Sequence, residues 1–295
     1  LWYNSTATTF QFQYGATAGV WATGNNLNTG RKTMAGAGTQ TAALGFGGQL
    51  PPAAASALTE TYNGTSWTEV NDLNTARGYL GGAGTQTAAL GFGGSPATAI
   101  TETWNGTNWT EVADLGTARY RFGSCGATNT AALAFGGTPP VTAITETWNG
   151  SNWTEVSDLN TARRSLAGAG TNTSALAFGG QDPSDSAATE LWNGTNWTEV
   201  NDLNTARAKL SGTGASNTAA LAFGGNAPDG SKYAQTELWN GTNWSEQNDL
   251  NTGRSLLAGA GTNTAALAFG GSPNAPAATE EFTNPGTITK TLTTS

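Results

Sequence analysis

Six arginines recur at matched positions along this 295-residue chain: Arg31, Arg77, Arg119, Arg163, Arg207 and Arg254. Six glutamates recur with them: Glu60, Glu102, Glu146, Glu190, Glu237 and Glu280. A ring of guanidinium groups can hold an anion, and paired carboxylates can act as acid and base. Equal copies argue against both roles, because catalysis needs unlike groups converging on one point. One Arg–Glu pair, or one Arg–backbone bond, at each junction between repeated units is the simpler reading, since a matched buried charge is tolerable and a lone one is costly. The remaining inventory is thin. There is no His and a single Cys, Cys125. Imidazole-assisted nucleophiles, soft-metal sites and an internal disulfide framework are thereby excluded. Asp182 and Asp185 in "QDPSDS" could hold calcium only weakly, with no spaced Asp loop around them. No phosphate-binding Gly-rich loop with its Lys is present. No enzyme is read here, and no cofactor or metal is expected.

Function is left to whatever differs between copies. Six of the 12 Lys and Arg residues are the repeat arginines; of the other six, Lys32, Arg121, Arg164 and Lys209 follow a repeat arginine by one or two residues. Tyr79 and Tyr120 fill the same slots in other units, and Lys232 stands beside Tyr233 in a variable loop. These eight are the candidate binding residues. Arg and Tyr can hold an anionic sugar or an acidic partner by paired hydrogen bonds and stacking. The plainer alternative is a set of solvated residues leading into strands. A net charge of −8 argues against nucleic acid as partner. No apolar run reaches the ~18 residues of a membrane span, so no membrane insertion is expected. The chain opens on Leu1 rather than Met, which points to a processed or trimmed product.

The elements that position these residues follow from a repeat. Gly-Gly after an apolar run falls at Gly47, Gly93, Gly136, Gly179, Gly224 and Gly270, at spacings of 46, 43, 43, 45 and 46 residues. Such a period signals a solenoid or a propeller. One unit separates into "SLAGAGT" (165–171), "SALAFGG" (174–180), "ATELWN" (188–193) and "WTEVND" (197–202), with Asn193-Gly194 marking a hairpin. Four short strands joined by turns describe one blade. The first strand is small, as crowding around an axis requires. The last two carry a Trp pair, read as core wedges rather than sugar platforms. Asn-Gly-Thr/Ser tripeptides begin at Asn63, Asn105, Asn149, Asn193 and Asn240; they match a glycosylation acceptor, but the simpler reading is that Asn and Gly supply the positive φ of a tight turn.

The units resemble kelch repeats: apolar strand, Gly-Gly, two aromatics flanking a hairpin, then Arg opening the next unit. The resemblance covers about residues 26–295 and implies an all-β, six-bladed kelch-like β-propeller with four antiparallel strands per blade. Repeats are placed at about 27–72, 73–114, 115–158, 159–202, 203–249 and 250–295, after an N-terminal β segment, 1–25. Both "GVWATGNNLNTGR" (19–31) and "TEEFTNPGTITKTL" (279–292) imitate outer strands, so one terminal hairpin is surplus or shared in closing the ring. The strand around Trp21 is expected to pair with the last blade. The box typical of propeller sialidases is missing.

The Gly/Thr/Asn-rich wording also resembles kelch-like domains in virion proteins of tailed bacteriophages, and "LWYNSTATTFQFQ" resembles segments of phage tail and fibre proteins. This implies a non-enzymatic binding propeller on a virion. It would touch host-surface glycan or another virion protein through the face bearing the variable loops between second and third strands, and could assemble as an oligomer. A purely structural decoration or spacer is the alternative; a secreted, extracellular lectin-like or carbohydrate-active propeller is the third reading.

Overall fold

The computed structural model describes residues 9–14, 18–273, 277–284 and 288–293. Within them the secondary structure is all β, arranged as six four-stranded antiparallel sheets. In the first blade the strands are Ala35–Thr39, Ala42–Phe46, Thr59–Tyr62 and Trp67–Val70, running from axis to rim. In the fourth they are Ala167–Gly170, Ala175–Phe178, Thr189–Trp192 and Trp197–Val200. First strands of successive blades touch in order, and that of blade six touches that of blade one, so the ring is closed. The protein is a six-bladed β-propeller.

Closure is made by the N-terminal region. Blade six takes Ala258–Gly261, Ala265–Phe269 and Thr279–Thr283 from the C-terminal end of the chain. Its outer strand is Val20–Gly24, antiparallel to Thr279–Thr283 with Trp21 opposite Phe282. Ile288–Thr293 pairs instead with Thr9–Tyr14 in a separate two-stranded sheet. Residues 1–8 of the opening segment lie outside the described residues.

Residue size sets the taper of each wedge. At Gly36 an added Cβ would lie 2.4 Å from Gly259 O of the adjacent blade, so neighbouring first strands meet backbone to backbone there. Further out, the Phe closing each second strand packs against the Trp opening the next blade's fourth strand: Phe46 against Trp109 at 4.9 Å and Phe92 against Trp153 at 4.8 Å between ring centroids. Those indole N–H groups donate to a Thr of the preceding blade, as in Trp109 Nε1 to Thr59 Oγ1 at 3.1 Å. A buried indole needs such a partner, and here the partner fixes the angle between blades. The double glycine serves the same junction. Gly47 and Gly48 take φ of 65° and 107°, and Gly48 N donates to Arg77 O of the next blade at 2.9 Å.

The outer hairpin corrects one expectation. Strands three and four are joined by a four-residue loop, 193–196 in blade four, rather than a two-residue turn. Gly194 takes positive φ (94°), whereas Asn193 does not. Asn193 Oδ1 instead accepts the N–H groups of Thr195 and Asn196, both at 2.9 Å. The asparagine is used for its side-chain carbonyl, which offers the backbone a local acceptor.

Candidate functional site

Each repeat arginine meets the glutamate of the blade it opens: Arg31–Glu60 and Arg77–Glu102 at 2.8 Å, Arg119–Glu146 at 2.7 Å, Arg163–Glu190 at 3.1 Å, Arg207–Glu237 at 3.0 Å and Arg254–Glu280 at 3.1 Å. All twelve side chains are buried. Burial lowers each arginine's pKa, and in each pair the glutamate opposes that shift. The glutamate also accepts backbone N–H from the link arriving from the previous blade; Asn74 N donates to Glu102 Oε2 at 2.7 Å. The arginine reaches the second strand, Arg77 Nη2 donating to Gly91 O at 3.2 Å. These charges are spent on one another and on backbone, six times over.

Two residues beyond each arginine stands a position that the repeat does not copy. Thr33, Tyr79, Arg121, Ser165, Lys209 and Leu256 occupy it, six different residues, all with φ between 56° and 59°. Their backbones form a closed circle of hydrogen bonds. Tyr79 N donates to Thr33 O at 2.7 Å, Arg121 N to Tyr79 O at 3.2 Å, Ser165 N to Arg121 O at 2.6 Å, Lys209 N to Ser165 O at 2.9 Å, Leu256 N to Lys209 O at 2.9 Å, and Thr33 N to Leu256 O at 2.8 Å. Left-handed backbone is strained for any L residue and most for a β-branched one such as Thr33. Glycine would suit every one of the six places, yet stands at none. Strain held by surrounding structure is a mark of functional positions.

The circle surrounds the mouth of the axial channel, a cavity of about 110 Å³ floored by Met34, Leu80, Phe122, Leu166, Leu210 and Leu257. Below this apolar tier the channel is walled by the Gly and Ala of the first strands with Ser124 and Ser211. Several polar atoms at the mouth have no protein partner: Thr33 Oγ1, Ser165 Oγ and Arg121 Nε, all buried. Arg121 is held by two tyrosines rather than by an acid. Its guanidinium carbon lies 4.6 Å from the Tyr79 ring centre and 5.5 Å from that of Tyr120, and Nη2 donates to Tyr79 Oη at 3.4 Å. Cation–π contact fixes the group without cancelling its charge.

The candidate residues thus divide. Tyr79, Arg121 and Lys209 line the mouth, with Tyr120 braced against Arg121. Lys32, Tyr120 and Arg164 stand one residue before the circle, bridged to the loop after Gly-Gly through Gln49, Thr138 and Gln181. Lys232 Nζ donates to Gly230 O at 2.8 Å within its own loop. Tyr233 lines neither this mouth nor the groove described next; its carbonyl accepts Arg254 N at 3.1 Å, a repeat duty that Ser56 performs for Arg77. The groove, about 400 Å³, lies between the second-to-third-strand loops of blades four and five. Gln181, Asp185, Lys209 and Asn226 line it, and Asn226 Oδ1 is buried without a partner. Partial burial raises the Asp185 pKa, with Lys209 acting against it.

Thr33, Ser165 and Asn226 are the site residues that sequence reasoning missed. The available signal was disagreement: no two copies share a residue at the second place after the arginine.

Charge is sorted in space. Exposed acids band the rim, Glu69, Glu111, Glu155, Glu199 and Glu246 on the fourth strands, where they also discourage edge-to-edge pairing. Among the described residues the ion pairs are the six junction pairs, so Lys32, Arg121, Arg164 and Lys209 have no carboxylate partner. Cys125 is buried in a first strand and burial pushes its thiol pKa up, which leaves it unreactive. Set against known proteins, the sequence matches no family pattern and no curated protein.

The strain reading is testable on stability. Left-handed backbone costs an L residue about 1–2 kcal/mol, and glycine's extra freedom when unfolded takes back about 0.5–1 kcal/mol. Thr33→Gly should therefore stabilise the fold, by up to about 1.5 kcal/mol in urea unfolding. A loss would mean that the side chains of the circle support the fold rather than burden it.

Proposed function

We propose that this chain is a non-enzymatic binding propeller, kelch-like in its repeat and displayed on a tailed-phage virion, which contacts a host-surface glycan or a neighbouring virion protein. The double glycine, the paired aromatics and the junction arginine support the kelch-like reading. One observation carries the binding role: in a chain of net charge −8, cations without carboxylate partners and two tyrosines gather at one mouth of the channel. Opposite charge at the rim focuses an anionic partner toward the axis. Sameness among the junction groups supports a role without catalysis.

The test is a glycan array read with the intact chain and with the Arg121→Ala/Arg164→Ala double variant. Binding to acidic glycans that falls at least tenfold in the variant supports the proposal; each lost charge-assisted bond is worth about 1.5–3 kcal/mol, and tenfold corresponds to about 1.4 kcal/mol. Finding the chain in purified particles by mass spectrometry supports the virion setting. Absence from particles together with a blank array sinks both parts.

A further inference from the structure

We infer that the channel mouth and the groove between blades four and five form one two-part site for an acidic disaccharide, its carboxylate seated in the mouth and the adjoining sugar in the groove. This rests on the glycan-binding reading above and narrows it. Lys209 joins the two parts, because it lines both cavities.

Volume divides the ligand. At about 110 Å³ the mouth admits only a small group, whereas the groove's roughly 400 Å³ falls within the 300–1,000 Å³ of ordinary ligand pockets. The body of the ligand belongs in the groove and only its end in the mouth.

The unpartnered atoms divide its chemistry. Thr33, Arg121 and Ser165 line the mouth, and the enclosed Thr33 and Ser165 hydroxyls and Arg121 Nε have no protein partner. Three donors with no competing carboxylate suit an acceptor-only group, and an ionised carboxylate is one. Backbone carbonyls of the circle already accept from their neighbours, so they do not compete. A neutral sugar hydroxyl would accept less from the three and would leave Arg121 uncompensated.

The groove wants the reverse. Asn226 Oδ1 is an acceptor without a donor, and Asp185 and Gln181 add further acceptors along the wall. Its carbon surface comes from Pro183, Ala227 and Pro228. Short apolar faces between carboxamides and a carboxylate suit a ring that carries hydroxyl donors. A peptide side chain of any size would find no deep apolar recess there.

The probes are an aldobiouronate (glucuronate linked to a neutral galactose), free glucuronate and the methyl ester of the aldobiouronate, titrated into the full chain by calorimetry. The aldobiouronate should bind more tightly than free glucuronate by at least tenfold, and the ester should lose about 10- to 100-fold, the value of a charge-assisted contact. Arg121→Gln should repeat the loss seen with the ester. Asn226→Ala should weaken the aldobiouronate several-fold and leave the ratio of acid to ester unchanged. Circular dichroism checks that each variant is folded; should Arg121→Gln unfold, Ser165→Ala and Lys209→Gln probe the same mouth, each with a smaller expected loss.

Equal binding of acid and ester overturns the inference, as does indifference to both Arg121→Gln and Asn226→Ala. No binding of the aldobiouronate, beside array binding of other glycans that depends on Arg121, overturns this inference and leaves the proposed function standing. No binding of any glycan overturns both.

Discussion

Glu102→Ala is expected to destabilise the ring by about 3–5 kcal/mol, the cost of removing one partner from a buried ion pair. Glu102 is fully buried and accepts from Arg77 Nη1, Asn74 N and Asn74 Nδ2 at 2.7 to 2.8 Å. Without it Arg77 is a buried cation facing carbonyls, and the link from blade one loses its anchor on blade two. Arg77→Met with Glu102→Leu should cost much less than Glu102→Ala alone, because no uncompensated charge is left behind. Glu111→Ala, on the exposed rim, should stay within about 0.5 kcal/mol. Urea unfolding followed by tryptophan fluorescence measures all three. If Glu102→Ala matches Glu111→Ala, the junction pairs are ornaments and the account of the repeat charges fails.

The fold was legible because its requirements are repeated. Gly-Gly, the paired aromatics and the junction Arg and Glu answer one geometric demand, and six copies make the demand visible. The site was only partly legible, for the opposite reason. Arg121 and Lys209 stood out as spare cations in an acidic chain, but Thr33 and Ser165 are ordinary residues in a Thr- and Ser-rich sequence. Nothing local announces their left-handed backbone, since glycine, the usual sign, is absent. The circle of hydrogen bonds joins residues more than 40 positions apart and exists only once the ring closes. The groove likewise needs two loops from different blades. Asn193 was misread through its neighbour: Asn-Gly implies a tight turn, but the Asn side chain captures two backbone N–H groups and stabilises a longer loop.

Trp21→Ala is expected to cost about 3–5 kcal/mol, as for a buried Trp elsewhere, and to act on closure rather than on one blade. Trp21 lies 5.1 Å from both Phe223 of blade five and Phe282 of blade six, and its Nε1 donates to Thr236 at 2.9 Å. The equivalent Trp109 makes the same contacts, but its strand, Trp109–Val112, follows directly from Thr101–Trp104 in the same hairpin. Val20–Gly24 has no such leash. It is held to blade six without a covalent hairpin, by pairing with Thr279–Thr283, by the flanking pair Thr9–Tyr14 and Ile288–Thr293, and by Leu27 N donating to Ala277 O at 2.9 Å, while the chain after it runs straight into blade one. Loss of Trp109 therefore leaves a hole in a tethered sheet, and the strand reseats at small entropic cost. Loss of Trp21 lets a strand leave, and with it the strap between first and last blades. Hydrogen exchange distinguishes the two: amides of Thr279–Thr283 should exchange by local opening in Trp21→Ala, at a free energy well below global unfolding, while those of Thr101–Trp104 in Trp109→Ala should still track the global value. Equal protection in both variants would show that the ring holds without its strap, and that blade-to-blade packing alone closes the circle.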